Sequence, residues 1–514
     1  MYKDSTESRP DSVVVPNALE SRFSPAYSAS AKQVYDADAF YSVQMPRREP
    51  GHLAPLSFMQ QQIWLLSQLI PRIPVYNETM MIHLPGRLVV PLFERSLNEI
   101  IQRHALWRTS FPLVQGQPVQ MIHSAWQVVL AVVDVPALSV KEGEEQVLQL
   151  ATELALSPFD LTTQPLLRAQ LFRLDEENYY FCLVMHQSIF DVQTLYQVFL
   201  PELQTLYQAF VHGEPSPLPP LSFEYADFAA WQQEQLRSNA LVGQLAYWKR
   251  QLANAPAVLE LPADRPAPPT PSYRGSRLPF TLSEEVTDGL RLLSQREGVP
   301  LDTLLIATIL MLLHRYTGQY DVMLGQTNQK NPGFQGLLGV FLTTLLLRVN
   351  MGDNPTFHEL LERVKEVSLA AHANQDVPFH MLTHALDAEH NGRQFPVQVV
   401  FALEPALPTL PDGWTITWPD IAVDVATSDL FFIMRDQRDG LTGCFGYNTD
   451  IFDASTVQRM FQHWEVLLSG IVRDQTLHLS ELPILTKEEY QQLVLEWNNT
   501  QRPYPDDRLS LIHI

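Results

Sequence analysis

The sequence predicts a mixed α/β (α+β) protein built as two lobes, and three observations lead there. A chain of 514 residues is too long for one ordinary hydrophobic core. Strand-like and helix-like patterns follow one another without long uniform blocks, which points to mixed or antiparallel sheets flanked by helices. The elements also fall into two halves of similar size around two proline-rich breaks, GEPSPLPPLS (213–222) and PADRPAPPTPS (262–272). With 46% hydrophobic and 18% charged residues the chain has ample material to bury, and no short-period repeat is visible.

Residues 1–52 are polar and serine-rich and read as a linker or tail. From Pro55 the pattern tightens. LSFMQQQIWLLSQL (56–69) spaces apolar residues as a helix does, with Ser57 as its N-cap. NETMMIHL (77–84) reads as a strand, VPLFERSLNEIIQRHAL (90–106) as an amphipathic helix, and LWRTSFPL with QPVQMIHS as paired strands. A helix is expected over 140–157, then strands LLRAQLFRL (166–174) and NYYFCLVMH (178–186), a QSIF turn, and one helix over about 191–211. These make an N-terminal lobe at 53–222. The second lobe, 223–495, opens with the aromatic helix SFEYADFAAWQQEQL. Helices follow over 283–297 and 301–317, then strand DVMLGQT and a buried strand in the apolar run GLLGVFLTTLLLRV (336–349). A helix over 355–373, strands at VQVVFAL, 429–435 and 441–448, and a helix over 454–472 complete it.

Bulk properties narrow the function. A net charge of −22 disfavours nucleic acid and anionic membrane as partners, because phosphate surfaces need a basic footprint. No apolar run of transmembrane length and no basic-then-apolar leader is present, so a soluble cytoplasmic protein is expected. The two cysteines, Cys182 and Cys444, lie in apolar strands without partners at metal-ligand spacing; both read as small core residues, and no metal site is expected.

The stretch MHQSIFDV (185–192) carries the chemistry. His186 closes an apolar strand just before a helix begins, a position where a strand fixes an imidazole at the edge of a cleft. Its ordinary pKa near 6.5 suits proton handling; the other reading is a hydrogen-bonded histidine of the core or rim. Asp191, five residues on, can cap the helix, join a buried salt bridge, or act chemically. No G-x-S-x-G elbow, phosphate loop or reactive cysteine supplies a nucleophile.

Six stretches, in order, resemble the condensation domains of nonribosomal peptide synthetases, within the chloramphenicol acetyltransferase-like superfamily. LSFMQQQIWLL (56–66) is similar to LSxxQxxxW, RHALWRTSF (103–111) to RHExLRTxF, and MHQSIFDV to HHxxxDG. YADFAAWQ (225–232) is similar to YxDYAxWQ, GLLGVFLTTLLLR (336–348) to IGxFVNTLxLR, and NQDVPFHML (374–382) to QxxPFExL. WNNTQRPYP (497–505) resembles the linker toward an adenylation domain, so 496–514 is expected to begin a linker to a following domain.

The resemblance implies a V-shaped pseudo-dimer with a central tunnel, entered by the phosphopantetheine arms of upstream and downstream carrier proteins, with no cofactor bound by the domain itself. It implies amide formation between a carrier-bound acyl or peptidyl thioester and a carrier-bound aminoacyl amine. His186 falls on the motif histidine assigned to catalysis, as proton acceptor or as a group that orients the amine and stabilises charge. Asp191 falls on the structural aspartate that pairs with an arginine, for which Arg108 is the candidate. Gln187, Ser188 and Thr343 are candidates for the tunnel or lobe interface.

The chain departs from the pattern at four positions: Met185 for the first histidine, Val192 for the glycine, Ala105 for the glutamate of RHExLR, and Thr343 for the asparagine of FVNT. Met185 cannot make a strong hydrogen bond, and Val192 would be strained if its backbone needed a positive φ. Two alternatives follow: a condensation-like domain that recruits a carrier protein or tailoring enzyme without turnover, and an atypical condensation with an unusual donor or an alcohol acceptor. An aspartate would replace His186 in a heterocyclisation domain.

Overall fold

The computed structural model describes residues 47–48, 51, 53–70, 73–136, 139–163, 165–237, 241–256, 258–329, 336–379, 381–382, 397–410, 413–417 and 426–500. Most of the expected tail and most of the expected linker start lie outside them.

In the first half, strands β1 (Leu53–Pro55), β2 (Asn77–Pro85), β3 (Thr109–Ser110), β4 (Leu113–Val114), β5 (Gln117–Ile122), β6 (Ala131–Asp134), β7 (Leu167–Asp175) and β8 (Asn178–His186) alternate with α1 (Phe58–Leu69), α2 (Val90–Arg103) and α3 (Val140–Leu156). Ser57 caps α1 in a reciprocal box with Gln60, as the S-x-x-Q spacing allows. After β8 the single helix expected over 191–211 is broken. It opens as α4 (Val192–Thr194), widens into a π-helical stretch at Leu195–Phe199, and resumes as α5 (Leu200–Val211). Helices α6 (Tyr225–Arg237) and α7 (Val242–Leu252) lead into the second half.

There, β9 (Gly275–Thr281), β10 (Asp321–Gln329), β11 (Leu342–Asn350), β12 (Val399–Glu404), β13 (Thr415–Thr417), β14 (Leu430–Gln437) and β15 (Gly440–Asn448) accompany α8 (Glu284–Glu297), α9 (Leu301–Thr317), α10 (Phe357–Ala373) and α11 (Ala454–Arg473).

The pairing repeats itself. In the first lobe β2, β8, β7 and β6 are neighbours, joined antiparallel, antiparallel and parallel. In the second lobe β9, β15, β14 and β12 are joined in the same three senses. Each lobe is therefore a copy of one plan. One strand crosses between them: β13, from the second half, adds to the edge of β2.

Strand alternation decides what each sheet face meets. On the first sheet Met80, Ile82, Leu183 and Met185 join a core with Phe93 and Leu97 of α2 and Leu203 of α5, while Met81, Cys182 and Val184 turn the other way, onto Val147, Ala151 and Ala155 of α3. On the second sheet Phe401, Phe432, Met434 and Phe445 pack on α8, α9 and α11. Cys182 is a core residue as expected, its thiol pushed up to about 12 by burial, whereas Cys444 is only half-buried.

Two further sequence expectations change. The apolar run 336–349 is not one strand: β11 starts at Leu342, and Leu337, Leu338, Val340 and Phe341 enter the first lobe's core instead. Hydrophobicity alone does not distinguish a strand from a buried crossing loop. Helix α6 also buries Tyr225 and Phe228 in that first core, while Trp248 and Leu252 of α7 join the second. The change of core thus falls within α6, between Trp231, which packs on the first core, and Leu236, which packs on the second.

Candidate functional site

The site is the turn that ends β8. The backbone N–H of His186 donates to Leu166 O, and that of Gln187 donates to Tyr76 O. Gln60 of α1, wholly buried, donates its amide to Ser188 O at 3.0 Å. Three neighbouring elements thereby hold the turn, which is 3₁₀ over Gln187–Ile189, and Ile189 and Phe190 plug it into the core.

His186 is 5% exposed. Its Nδ1 lies 2.9 Å from Ser188 Oγ and accepts a longer bond, 3.4 Å, from Ser188 N–H. Tyr76 and Phe159 meet the ring edge-on, with centroids 5.9 and 6.2 Å away. Burial without any carboxylate partner pulls its pKa down to about 3, so the ring is neutral at physiological pH. Among the described residues Nε2 makes no hydrogen bond, and it is not one of the sealed polar atoms, so it is the nitrogen left open.

Asp191 begins α4 as its N-cap. Oδ1 accepts Thr194 N–H at 2.8 Å, and Oδ2 accepts Phe341 N–H, from the crossing loop of the second half, at 2.8 Å. Thr194 Oγ1 donates to Gly339 O in the same loop. Tyr225 adds a third tie, donating to Val340 O. The expected Asp191–Arg108 ion pair is not formed among the described residues. Arg108 donates instead to the carbonyl of His123, and the peptide N–H groups of Thr194 and Phe341 take the role foreseen for its guanidinium. A carboxylate at a helix start accepts readily from backbone donors.

The departures from the motif are accommodated. Met185 is wholly buried and pairs with Glu78 and Leu167 across the sheet, on the face opposite His186. Val192 is half-buried, begins α4 and is not among the positive-φ residues, so its β-branch carries no backbone strain. Ala105 is buried in a small cluster with Ala54, Ile122 and Ala226. Gln187 is half-buried and Ser188 buried. Thr343 pairs with Asn328 in the β10–β11 ladder and borders a cleft of about 510 Å³ with Phe58, Phe228, Asp376 and Pro378; among the described residues no hydrogen bond links it to His186.

Three residues went unseen from sequence: Gln60, Tyr76 and Glu78. Gln60 had a signal, its place in the first motif. Tyr76 and Glu78 had none, because strand pairing alone brings β2 beside β8. Burial holds the Glu78 carboxyl above the ordinary carboxylate range, with Arg277 and Arg435 of the second lobe opposing and Glu404 reinforcing.

The repeated plan also repeats the turn. HQSIFD (186–191) ends β8, and NTDIFD (448–453) ends β15, its structural counterpart. Asn448 N–H donates to Asp429 O before β14, as His186 N–H donates to Leu166 O before β7. Asp450 N–H donates to Asn448 Oδ1 at 2.9 Å, as Ser188 N–H donates to His186 Nδ1.

Comparison with known proteins agrees with this architecture. The family model for the condensation domain matches residues 51–494. The chain is 38% identical over 471 residues to a component of the linear gramicidin synthase of Brevibacillus parabrevis, covering 90% of this chain and 9% of that protein. It is 32% identical over 482 residues to the dimodular nonribosomal peptide synthase of Bacillus subtilis, covering 90% and 20%. The chain thus spans only a small part of the curated relatives it matches.

Among solved structures, the X-domain from teicoplanin biosynthesis is 26% identical with a TM-score of 0.76, covering 86% of this chain and all of that one. The first condensation domain of the CDA synthetase shares the fold at 18% identity and a TM-score of 0.69, covering 84% and 99%. The two-lobed α/β fold and these matches define the class, and this chain is a member of the condensation domain family.

Proposed function

We propose that this domain joins a carrier-bound acyl or peptidyl thioester to the amine of a second, carrier-bound aminoacyl thioester, with His186 at the reacting centre. The observation that carries the reading is the state of that imidazole: neutral, anchored through Nδ1, packed by two aromatic edges and open at Nε2. The partners are upstream and downstream carrier proteins or domains whose phosphopantetheine arms deliver the substrates, and an adjacent adenylation domain that supplies one of them. The synthetase relatives, over a small part of whose length this chain aligns, support that setting.

The chemistry needs no enzyme nucleophile. Both reactants arrive tethered, and holding them in line supplies up to about 7–11 kcal/mol as effective molarity. The amine attacks the thioester carbonyl, and His186 stabilises the tetrahedral intermediate or orients the attack. Asp191 does not touch the reactants; it locks the turn to the crossing loop of the second lobe.

A second reading has one observation behind it: the X-domain neighbour has been solved in a complex with OxyB, so a domain of this fold can serve as a docking module. Intact anchoring of His186 favours turnover. Incubation with donor-loaded and acceptor-loaded carriers decides: amide product from the parent and none from His186→Ala supports condensation. Carrier binding by both proteins with product from neither would sink it.

A further inference from the structure

Building on that proposed reaction, we infer that Ser188 is a positioning residue that fixes the tautomer of His186, so that the reacting nitrogen, Nε2, carries a proton and works as a hydrogen-bond donor. The geometry leads there in two independent ways. First, a backbone N–H can only donate, and Ser188 N–H points at Nδ1; Nδ1 therefore presents its lone pair, and the Ser188 hydroxyl, 2.9 Å away, donates to the same nitrogen. A neutral imidazole has one N–H, so it sits on Nε2. Second, the turn at the end of β15 makes the same bond onto a group of known polarity. There Asp450 N–H donates to the side chain of Asn448, which must offer its carbonyl oxygen. A lone pair at the strand end, facing the amide two residues on, is thus a property of the turn in both lobes.

The consequence is chemical. With Nε2 already protonated and Nδ1 engaged, the ring has no free lone pair toward the reactants and does not take the amine proton. As the C–N bond forms, the carbonyl oxygen gains negative charge and Nε2–H donates to it. As the C–S bond breaks, the electron pair leaves with the phosphopantetheine sulfur, and the ammonium proton of the new C–N linkage passes to that thiolate. Atoms and charge balance, and the imidazole ends as it began.

Tautomer and turnover are tested together. Nitrogen-15 spectra of histidine-labelled protein, with the His186 signals assigned by their loss in His186→Ala, should show a pyrrole-type Nε2 and a pyridine-type Nδ1. Ser188→Ala removes the shorter of the two bonds to Nδ1 while keeping the backbone N–H, and should admit a minor Nδ1–H population and lower kcat about tenfold with KM little changed, the scale of one hydrogen bond; Ser188→Thr should restore both readouts. A pyrrole-type Nδ1 in the parent, or Ser188→Ala with parental tautomer and parental kcat, would overturn the inference. Product formation by His186→Ala at the parental rate would instead overturn the catalytic reading beneath it, and the donor role with it, whatever the spectrum shows.

Discussion

HQSIFD and NTDIFD are the same turn put to two uses. Both close a strand at equivalent places in the two lobes, both bury the isoleucine and phenylalanine, and both place an aspartate at a helix start. They differ in what surrounds the tips. Asp191 caps its helix and reaches across to Phe341 N–H of the other half. Asp453 makes no side-chain cap and is taken by Arg265, with both groups largely exposed. Asp450 binds Ser272 and Arg274 and so staples the segment that leads into β9, while Ser188, in the same place, turns inward onto an imidazole. The backbone geometry belongs to the fold, and the chemistry belongs to the side chain that the fold presents.

Making one turn resemble the other is the strongest test of that lesson. His186→Asn copies the second lobe's residue into the first; the fold should survive, while amide formation should fall about 10²–10⁴-fold, the range for a positioned catalytic group. Product on the carrier, followed by mass spectrometry beside a melting curve, checks both halves.

The two aspartates should differ in stability next. Asp191→Ala removes a buried cap and a charge-assisted bond between halves and should cost about 2–4 kcal/mol. Asp453→Ala breaks an exposed pair and should cost no more than about 1 kcal/mol. Denaturant titrations giving equal losses would show that the two turns are not anchored differently.

Restoring the family pattern should not help. Met185→His puts an imidazole into an apolar core and should destabilise by about 1–3 kcal/mol, without raising turnover, because position 185 faces away from His186.

The last effect is confined to low pH. His186 has its pKa lowered, from an ordinary 6.5 to about 3, by burial. The unfolded chain therefore binds the extra proton first, so stability is full above about pH 6.5 and is lost as pH falls toward 3. His186→Asn should remove up to about one proton's worth of that slope, whereas Asn448→Ala should leave it unchanged; parallel slopes in parent and His186→Asn would contradict the buried neutral ring.

Local patterns carried much of this into view. Ser57 and Asp191 could be recognised as caps because capping is settled within three residues. Strands β2, β7 and β8 could be seen as short apolar runs between turn signals. The expected Asp191–Arg108 pair failed because Arg108 binds the His123 carbonyl while Asp191 accepts from the peptide N–H groups of Thr194 and Phe341, and peptide N–H groups leave no mark in a sequence. The 336–341 segment failed for a related reason: its leucines look the same whether they enter a sheet or the opposite lobe.

By itself the sequence determined two mixed lobes, a strand-end histidine, a capping aspartate and, through six ordered motifs, the family. Only the tertiary structure decided which nitrogen of His186 is anchored, what holds Asp191, and that Met185 and Val192 fit without strain. The hold on Asp191 and the place of Met185 depend on contacts between distant strands and loops, and the anchoring of His186 depends on a short turn whose shape those contacts hold; such contacts exist only once the chain has packed.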